Sequence, residues 1–347
     1  MRCAMANPAS QADGSRTGSS APGCAGWQAA LAEAVTDPTD LCRELHLPLA
    51  MAAAAEGATE AFPLFVPRTY LARIRPSDPN DPILLQILPR KEELASVPQF
   101  TTDPVGETHS AQGRGWLRKY RNRLLMVTNG GCGVHCRFCF RRHFPYDLRT
   151  PSERWEEALH QLARDPTIHE VILSGGDPLT LDDSSLAGLA RRLAEIPHVR
   201  RLRVHTRLPI VVPQRVNDEL LGWLGGGRLA ARVVVHVNHP AEIDDAVAVA
   251  LGRLVDAGVP VLSQSVLLRG INDRVEALVE LCERLIDLGV TPYYLHQLDR
   301  VAGAAHFEVP VETGVRLVEA LRAILPGYAV PRYVREVPGE PSKVVLA

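Results

Sequence analysis

Lysine is scarce in this sequence. Of the 38 basic residues in a chain of 347, only Lys91, Lys119 and Lys343 are lysines, which leaves 35 arginines (38 − 3). Chemistry that requires a primary amine, such as Schiff-base formation, therefore has three candidate residues in the whole chain.

Long apolar runs and a strong net charge are also lacking. No stretch approaches the roughly 20 apolar residues that span a bilayer, and residues 1–24 lack the apolar centre of a secretory signal. A formal net charge of −2 gives no indication of nucleic-acid binding. We therefore expect a cytoplasmic protein that has neither a membrane nor a nucleic acid as its partner.

Composition divides the chain into three segments. Residues 1–24 are rich in Gly, Ser, Ala and Pro and predict a disordered tail, because they offer little apolar area to offset the entropy of ordering. Residues 25–115 show helical spacing of apolar residues interrupted by prolines, which predicts a small helical region. Residues 116–347 alternate short β-branched runs with amphipathic helical runs.

The alternating segment predicts a parallel sheet covered by helices. The strand-like runs are LLMVT, EVILSGG, LRVHTR, RVVVHVNH, VPVLSQSVLL and TPYYLHQLD. Six strand–helix units in a row predict an α/β fold, a partial (β/α)6 barrel of the TIM type, whereas eight units would close a full barrel. Polar residues or cysteines accompany the end of each run, and ligands bind at the carboxyl ends of parallel strands. The sequence therefore places a binding site at that edge of the sheet.

Three of the seven cysteines fall within eight positions, in the string NGGCGVHCRFCFRRH. Cys132, Cys136 and Cys139 have the spacing C-x3-C-x2-C, while a structural zinc ion takes four protein ligands. A cubane iron–sulfur cluster normally takes four thiolates, so three would leave one iron open to bind another ligand. A zinc site completed by His135 or His143 stays open as the alternative.

The cysteine spacing after the first strand, together with SGGDP after the second, resembles the radical S-adenosylmethionine (SAM) enzymes. The resemblance implies a [4Fe–4S] cluster held by the three cysteines, with SAM bound to the open iron. It also implies that Ser174, Gly175, Gly176 and Asp177 form the motif that contacts SAM, since glycine permits close approach of the backbone.

Longer motifs resemble one family of that class, the lysine 2,3-aminomutases. They are CRFCFRRHFPY, SGGDPL, HTRLPIVVPQR, NHPAEI, QSVLLRGIND, YYLHQLDRVAGAAHF and GEPSK, and the likeness extends from about Trp27 to the last residue. It is strongest to the short bacterial branch that makes (R)-β-lysine for the modification of elongation factor P. Longer members of the family continue past the pyridoxal lysine into zinc-binding cysteines, so we do not expect that zinc site or the oligomer built on it here.

The resemblance also implies partners and a second cofactor. The substrate would be L-lysine, the electron donor a protein such as flavodoxin or ferredoxin, and the consumer of the product an enzyme that transfers β-lysine to elongation factor P. A homo-oligomer is compatible with the family. Pyridoxal 5′-phosphate (PLP) would be held as a Schiff base by Lys343 in PGEPSK, the catalytic lysine.

Most of the site follows from the same matches of position. Tyr120, Arg123 and Arg207 match positions that contact PLP, and His236 and Gln264 match positions near SAM. Arg141 matches the position that binds the substrate carboxylate, and Asp299 and Glu336 match the acidic pair that binds the ε-ammonium group.

Simpler interpretations of some residues stay open. Lys343 near the end of the chain, Arg123 in the basic run RKYRNR and Glu336 are each also typical of solvated surface charges. An aminomutase for another amino acid would keep the cysteines but vary the acids. A non-catalytic iron–sulfur or zinc protein would keep the cysteines but have no use for Lys343.

Overall fold

The computed structural model describes residues 26–113, 115–146 and 151–347, so the predicted disordered tail at 1–24 lies outside the described residues. The first described part contains short helices. They are α1 (Trp27–Ala32), α2 (Pro38–Glu44), α3 (Leu49–Ala61), α4 (Arg68–Leu71), α5 (Leu84–Ile87) and α6 (Glu107–Ser110). The start of α2 shows why one of them forms: Asp37 accepts a hydrogen bond from the backbone N–H of Thr39 at 2.6 Å, and Pro38 occupies the first helical position.

In the described part of the chain, ten strands form a single sheet in sequential order. They are β1 (Ala111–Gly113), β2 (Trp116–Leu117), β3 (Arg123–Val127), β4 (Glu170–Ser174), β5 (Arg201–Thr206), β6 (Ala230–His236), β7 (Val261–Val266), β8 (Thr291–His296), β9 (Arg332–Arg335) and β10 (Val344–Val345). The strands from β3 to β9 run parallel to one another. Antiparallel pairing adds β1 and β2 to one edge and β10 to the other.

Helices alternate with the parallel strands, as the sequence predicts. They are α7 (Pro151–Arg164), α8 (Asp183–Ala194), α9 (Leu208–Val211), α10 (Asp218–Gly225), α11 (Asp245–Asp256), α12 (Val275–Asp287) and α13 (Val311–Ile324). The helices α11 and α12 are followed by Gly258 and Gly289, whose φ angles of 75° and 73° let the chain leave each helix in the left-handed conformation. Single 3-10 turns lie at Lys91–Leu94, Pro178–Thr180, Pro213–Arg215, Pro240–Glu242, Ala305–Phe307 and Gly327–Ala329.

The core lies between the sheet and the helices that cover it. Val171 and Leu173 of β4 belong to the same apolar cluster as Leu186 and Leu189 of α8, and such continuous apolar runs are typical of strands buried on both faces. Tyr70 of α4 belongs to this cluster too. The N-terminal helices therefore share one core with the barrel, although the predicted boundary near residue 115 stays a prediction.

Six strand–helix units, from β3 to α13, confirm the predicted partial (β/α)6 barrel. The pattern does not predict β9, because its four residues RYVR contain a single β-branched side chain. Among the described residues, no helix combines the length and apolar character that crossing a membrane requires. The carboxyl ends of the parallel strands meet along one edge of the sheet, where the predicted site residues lie.

Candidate active site

One cavity of about 480 Å³ lies at the carboxyl ends of the parallel strands. All the site residues predicted from the sequence line it. They are Tyr120, Arg123, Cys132, Cys136, Cys139, Arg141, Ser174, Gly175, Gly176, Asp177, Arg207, His236, Gln264, Asp299, Glu336 and Lys343. The fold thus brings together residues that are up to 223 positions apart in the chain (343 − 120), while the individual role of each stays a prediction.

The cysteine loop follows β3 and is fastened to the N-terminal helices. Between the cysteines, Arg137 donates its backbone N–H to the carbonyl oxygen of Gln86 at 2.9 Å. Its buried guanidinium group donates to both carboxylate oxygens of Glu93, at 2.9 and 2.7 Å. A charged bidentate pair of this kind fixes a side chain strongly, so the loop that carries the three thiols is held in place by residues outside the barrel.

The two histidines considered as zinc ligands each have one ring nitrogen in a hydrogen bond to a backbone carbonyl. His135 shares a hydrogen bond between Nδ1 and the carbonyl oxygen of Pro63 at 2.9 Å, and its ring stacks on Phe62. His143 Nε2 lies 3.1 Å from the carbonyl oxygen of Ala302. Within residues 26–113, 115–146 and 151–347, no three His, Cys, Asp or Glu side chains converge closely enough to hold one metal ion. This geometry does not support a zinc site completed by histidine.

The three thiols fit a cluster that brings its own positive charge. Burial raises the pKa of Cys132 well above its ordinary value and, together with the neighbouring Cys136, raises that of Cys139 to about 11. Buried thiols with raised pKa values ionise when a metal stabilises the thiolate. Arg207 already donates a hydrogen bond from Nη1 to the Cys136 sulfur at 2.7 Å.

The glycine motif after β4 packs directly on the cysteine loop. A Cβ atom on Gly176 would lie 2.1 Å from the carbonyl oxygen of Gly131, and one on Gly175, where φ is +128°, would lie 2.6 Å from that of Asn129. The backbone N–H of Gly176 donates to the Asn129 oxygen at 2.9 Å, and that of Asp177 donates to the Gly131 oxygen at 2.6 Å. No larger residue could replace either glycine without separating the two loops.

Asp177 organises the loop after β5. Its carboxylate accepts hydrogen bonds from the backbone N–H groups of Leu179, Arg207 and Leu208 and from the Thr206 hydroxyl. Burial raises its pKa, although these hydrogen bonds act in the opposite direction. Groups of the chain itself donate all of these hydrogen bonds to the carboxylate. Asp177 therefore positions the loop after β5.

His236 presents an unpaired polar atom to the cavity. Its Nε2 is buried and has no hydrogen-bond partner, and its ring stacks on Phe138 at 5.6 Å. Burial and the nearby Arg207 lower the pKa of His236 to about 3, so the imidazole is neutral at pH 7. A buried, orphaned nitrogen that lines a cavity suits a polar ligand such as SAM, and Gln264 of β7 pairs beside it in the sheet.

Glu336 is the centre of the opposite end of the cavity. It accepts hydrogen bonds from Lys343 and from the Tyr120 hydroxyl, and Lys119 Nζ lies 3.4 Å away. Burial alone would raise the pKa of Glu336, but the ammonium groups of Lys343 and Lys119 outweigh it and lower that pKa to about 2. Arg123 packs over the Tyr120 ring at 4.9 Å. This end therefore holds the candidate Schiff-base lysine and two of the three residues predicted to contact PLP, Tyr120 and Arg123.

Arg141 and Glu107 form a buried pair that sequence patterns do not reveal. Arg141 donates from Nε and Nη2 to the two carboxylate oxygens of Glu107, at 2.8 and 2.6 Å, and from Nη1 to the Ser174 hydroxyl at 2.9 Å. Burial would lower the pKa of Arg141, but Glu107 outweighs it and raises that pKa. Glu107 lies 34 positions before Arg141, and no local signal marks it.

The contacts of Arg207 differ from those expected for a PLP ligand. Besides Cys136, its guanidinium group contacts Tyr70, Gln86 and Glu242 through Nη2. These residues lie behind the cysteine loop. No contact in the described residues supports a role in binding PLP, and that role stays a prediction.

Two further histidines line the cavity and belong to the strand-like runs LRVHTR and TPYYLHQLD. His205 of β5 and His296 of β8 are partly buried, and desolvation lowers both pKa values well below the ordinary one, with Arg203 adding to the effect at His205 and Lys343 at His296. The strand-end rule that selects their neighbours could have selected them as well.

Comparisons with known proteins agree with this site geometry. A family model described as the radical SAM superfamily matches residues 126–282. The L-lysine 2,3-aminomutase of Escherichia coli (strain K12) is 44% identical over 322 residues, covering 92% of this chain and 94% of its own. The L-lysine 2,3-aminomutase of Haemophilus influenzae is 42% identical, with 92% and 95% covered. That of Clostridium subterminale is 39% identical over 79% of this chain, but over 66% of its own length.

The solved structures that match are more distant. The crystal structure of Streptococcus suis SuiB aligns with a TM-score of 0.48 and 14% identity, over 63% of this chain and 50% of that chain. A radical SAM methyltransferase from Sphaerobacter thermophilus aligns with a TM-score of 0.44 and 20% identity, over 63% and 68%.

Proposed function

We propose that this chain, which belongs to the lysine 2,3-aminomutase family of radical SAM enzymes, is an isomerase that moves the α-amino group of L-lysine from C2 to C3 and so forms β-lysine. The proposed cofactors are a [4Fe–4S] cluster, SAM and PLP. One observation carries the proposal: a single cavity is lined by three thiols, a glycine loop, a lysine near the chain end and two acidic residues.

The three groups would be held by different walls of the cavity. Cys132, Cys136 and Cys139 would hold the cluster, the backbone of Gly175 and Gly176 with His236 and Gln264 would face SAM, and Lys343 with Tyr120 and Arg123 would hold PLP. When bound, the cluster and SAM supply a carbon radical, and PLP supplies a π system that stabilises radicals. The residues of the chain position the substrate and exclude water.

In this proposal Arg141 binds the substrate carboxylate. The pair with Glu107 fixes the guanidinium group by its Nε and Nη2 edge, and its Nη1 contacts the Ser174 hydroxyl and the Gly175 carbonyl at 2.9 and 3.2 Å. Arginine binds carboxylates well because its planar fork matches their geometry. Because Arg141 lies two residues after Cys139, it would hold the amino acid next to the cluster.

In this proposal Asp299 and Glu336 bind the ε-ammonium group. Both line the cavity, and in this structure the ammonium group of Lys343 contacts Glu336. Burial raises the pKa of Asp299 more than the Lys343 ammonium group lowers it, and the resulting pKa is about 7. An ammonium group thus already pairs with Glu336 and lowers the pKa of Asp299, which supports a cationic substrate side chain and disfavours glutamate.

The test is an anaerobic assay of reconstituted protein with SAM, a reductant, PLP and either lysine or norleucine, followed by amino acid analysis. We expect β-lysine from lysine and little reaction of norleucine, because norleucine lacks the charge that the two acids recognise. Equal rearrangement of norleucine would refute the lysine assignment. Cys132→Ala should lose the cluster, whereas Cys282→Ala, a change in the buried face of α12, should retain it.

Borohydride reduction tests the cofactor separately. Reduction should fix PLP covalently on Lys343, and peptide mapping is simple in a chain with three lysines. A label on Lys91 or Lys119 would contradict the assignment.

We further propose the finer features that the family resemblance implies. They are the (R) configuration of the product, its use by an enzyme that modifies elongation factor P, a cytoplasmic location, and flavodoxin or ferredoxin as the electron donor. Chiral chromatography of the product tests the first. Transfer of the product to purified elongation factor P by that enzyme tests the second.

A further inference from the structure

Arg207 lies between the cysteine loop and a buried polar network. Its Nη1 donates to the Cys136 sulfur at 2.7 Å, and its Nη2 donates to Tyr70, Gln86 and Glu242 at 2.8, 2.6 and 2.8 Å. All of these contacts except Cys136 are buried side chains behind the loop. The guanidinium group therefore contacts the candidate cluster ligand through Nη1 and the buried polar network through Nη2.

Glu242 holds the charge of Arg207 in place. The carboxylate is completely buried and also accepts hydrogen bonds from the Tyr70 hydroxyl, the Gln86 amide and the backbone N–H of Asn238, at 2.9, 3.1 and 2.8 Å. Burial would raise the pKa of Glu242, but Arg207 and these donors lower it to about 2. The pair is therefore ionic, and its positive end points at the Cys136 sulfur.

Aromatic rings fix the position of the guanidinium group further. Its carbon lies 5.5 Å from the ring centre of Tyr70 and 5.6 Å from that of Phe138. Tyr70 and Gln86 come from the N-terminal helices, whereas Arg207 follows β5 and Glu242 follows β6. The N-terminal region thus completes the surroundings of a cysteine that belongs to the barrel.

We infer that Arg207, positioned by Glu242, Tyr70 and Gln86, raises the reduction potential of the iron–sulfur cluster through Cys136. One-electron reduction adds negative charge to the cluster, and the electron comes from an external donor. A cation that donates a hydrogen bond to a thiolate ligand stabilises the reduced state more than the oxidised state, and hydrogen bonds to cluster sulfurs are among the features that set such potentials. Arg207 is a positioning residue in this role, because it acts through Cys136.

The test is a redox titration of the reconstituted cluster, followed by electron paramagnetic resonance with dithionite as the reductant. In Arg207→Gln, we expect the ratio of reduced to oxidised cluster at a fixed potential to fall about tenfold, equivalent to about 59 mV for one electron. Arg207→Lys should shift in the same direction by less, since it keeps the charge but loses the fork. Iron content is measured in each variant.

Arg215→Lys is the matched control. Arg215 is also completely buried in the barrel and ion-paired, with Asp183 at 2.8 Å, but its hydrogen bonds within the described residues involve no cysteine. We expect its substitution to leave the potential unchanged.

The inference is overturned if both Arg207 variants hold a full cluster at an unchanged potential. It is also overturned if Arg207→Gln loses PLP while the potential stays the same, because Arg207 would then be a PLP ligand. If Arg207→Gln does not assemble a cluster, a lowered potential in Arg207→Lys supports the inference and an unchanged potential overturns it. The titration needs neither lysine nor PLP, so failure of the proposed aminomutase reaction would not affect its outcome.

Discussion

Asp299 and Glu336 are partly buried carboxyl groups in the same cavity, yet their pKa values move in opposite directions. Glu336 contacts Lys343 directly, and that ammonium group outweighs burial and keeps the acid ionised. At Asp299 the Lys343 ammonium group does not outweigh burial, and the pKa is raised to about 7. While Lys343 carries its ammonium group, one member of the predicted acidic pair is therefore an anion, and the other can exchange a proton near neutral pH. When Lys343 binds PLP as an imine that charge is lost, so the pKa of Asp299 is no longer lowered by it.

Lysine binding should depend on pH through Asp299. Below pH 7 the carboxyl group becomes protonated and no longer attracts the ε-ammonium group, so we expect the KM for lysine to rise by at most about tenfold per pH unit as the pH falls. Without substrate, the stability of the folded protein changes with pH in the opposite direction. The raised pKa of Asp299 favours the folded state at low pH, and this contribution is lost as the pH rises through 7. Steady-state kinetics from pH 6 to 8 measure the effect.

Asp299→Asn is the control for this pH dependence. We expect it to raise the KM at pH 8 by about tenfold, as for loss of a hydrogen bond to a charged group, and to flatten the profile. Iron and PLP content should not change. An unaltered pH profile in the variant would show that another group is responsible.

Glu107 should matter for the substrate although it need not touch it. In Glu107→Gln the charged partner of Arg141 is lost, so the guanidinium group is held less firmly, and we expect the KM for lysine to rise about tenfold with a smaller change in kcat. Glu107→Asp should recover part of the loss, because it restores the charge. A lower KM in Glu107→Gln would instead mean that Glu107 competes with the substrate carboxylate for Arg141.

Residues inside motifs could be predicted from the sequence, and those that support them could not. The cysteines and the glycine motif carry local patterns, and the structure gathers them in one cavity. Tyr70 contacts Arg207 across 137 positions, and Glu107 contacts Arg141 across 34. Such contacts depend on how distant segments pack, which local patterns in one sequence do not show.

At the scale of elements, the site depends on two loops that touch. The loop after β3 carries the cysteines and the loop after β4 carries the glycines, and backbone hydrogen bonds join them without intervening side chains. Helical periodicity and glycine ends predicted α11 and α12 well, because amphipathic helices longer than three turns carry a strong signal. Strands of two to four residues, such as β2, β9 and β10, carry little signal, and only pairing with neighbours defines them.

Gly176→Ala tests the contact between the two loops. A Cβ atom there would lie 2.1 Å from the carbonyl oxygen of Gly131, a backbone atom that cannot move alone. We expect the variant to bind SAM at least about tenfold more weakly and to hold less iron, because the cysteine loop must shift. Equilibrium binding of SAM and iron analysis measure both effects.

Gly188→Ala is the matched control for that change. Gly188 lies within α8, and the nearest atom to an added Cβ would be Arg191 Nη2 at 3.8 Å, an ordinary contact. Alanine favours a helix over glycine by about 1 kcal/mol, so this variant should be slightly more stable and should bind SAM normally. Normal SAM binding and iron content in Gly176→Ala would mean that the loops tolerate separation.

At the scale of the whole molecule, the N-terminal helices and the barrel are joined beside the candidate cluster site. Glu93, in a 3-10 turn of the N-terminal region, pairs with Arg137 at 2.7 Å and Arg142 at 2.8 Å, and all three side chains are almost fully buried. Both arginines belong to the cysteine segment. One carboxylate therefore pairs with two buried cations, which ties the position of the cluster ligands to the packing of the two regions.

Glu93→Gln should accordingly destabilise the protein and the cluster together. Removing one partner of a buried ionic group leaves the other uncompensated, at a cost of about 3 kcal/mol, and here two arginines lose the same partner. We expect a lower midpoint of urea unfolding and faster loss of iron to a chelator. The comparison is Glu156→Gln, which removes a carboxylate from an exposed pair with Arg192 and should change neither quantity, because solvent already screens that pair. If Glu93→Gln released iron no faster than Glu156→Gln while its unfolding midpoint fell, the N-terminal region would stabilise the fold without holding the cluster ligands.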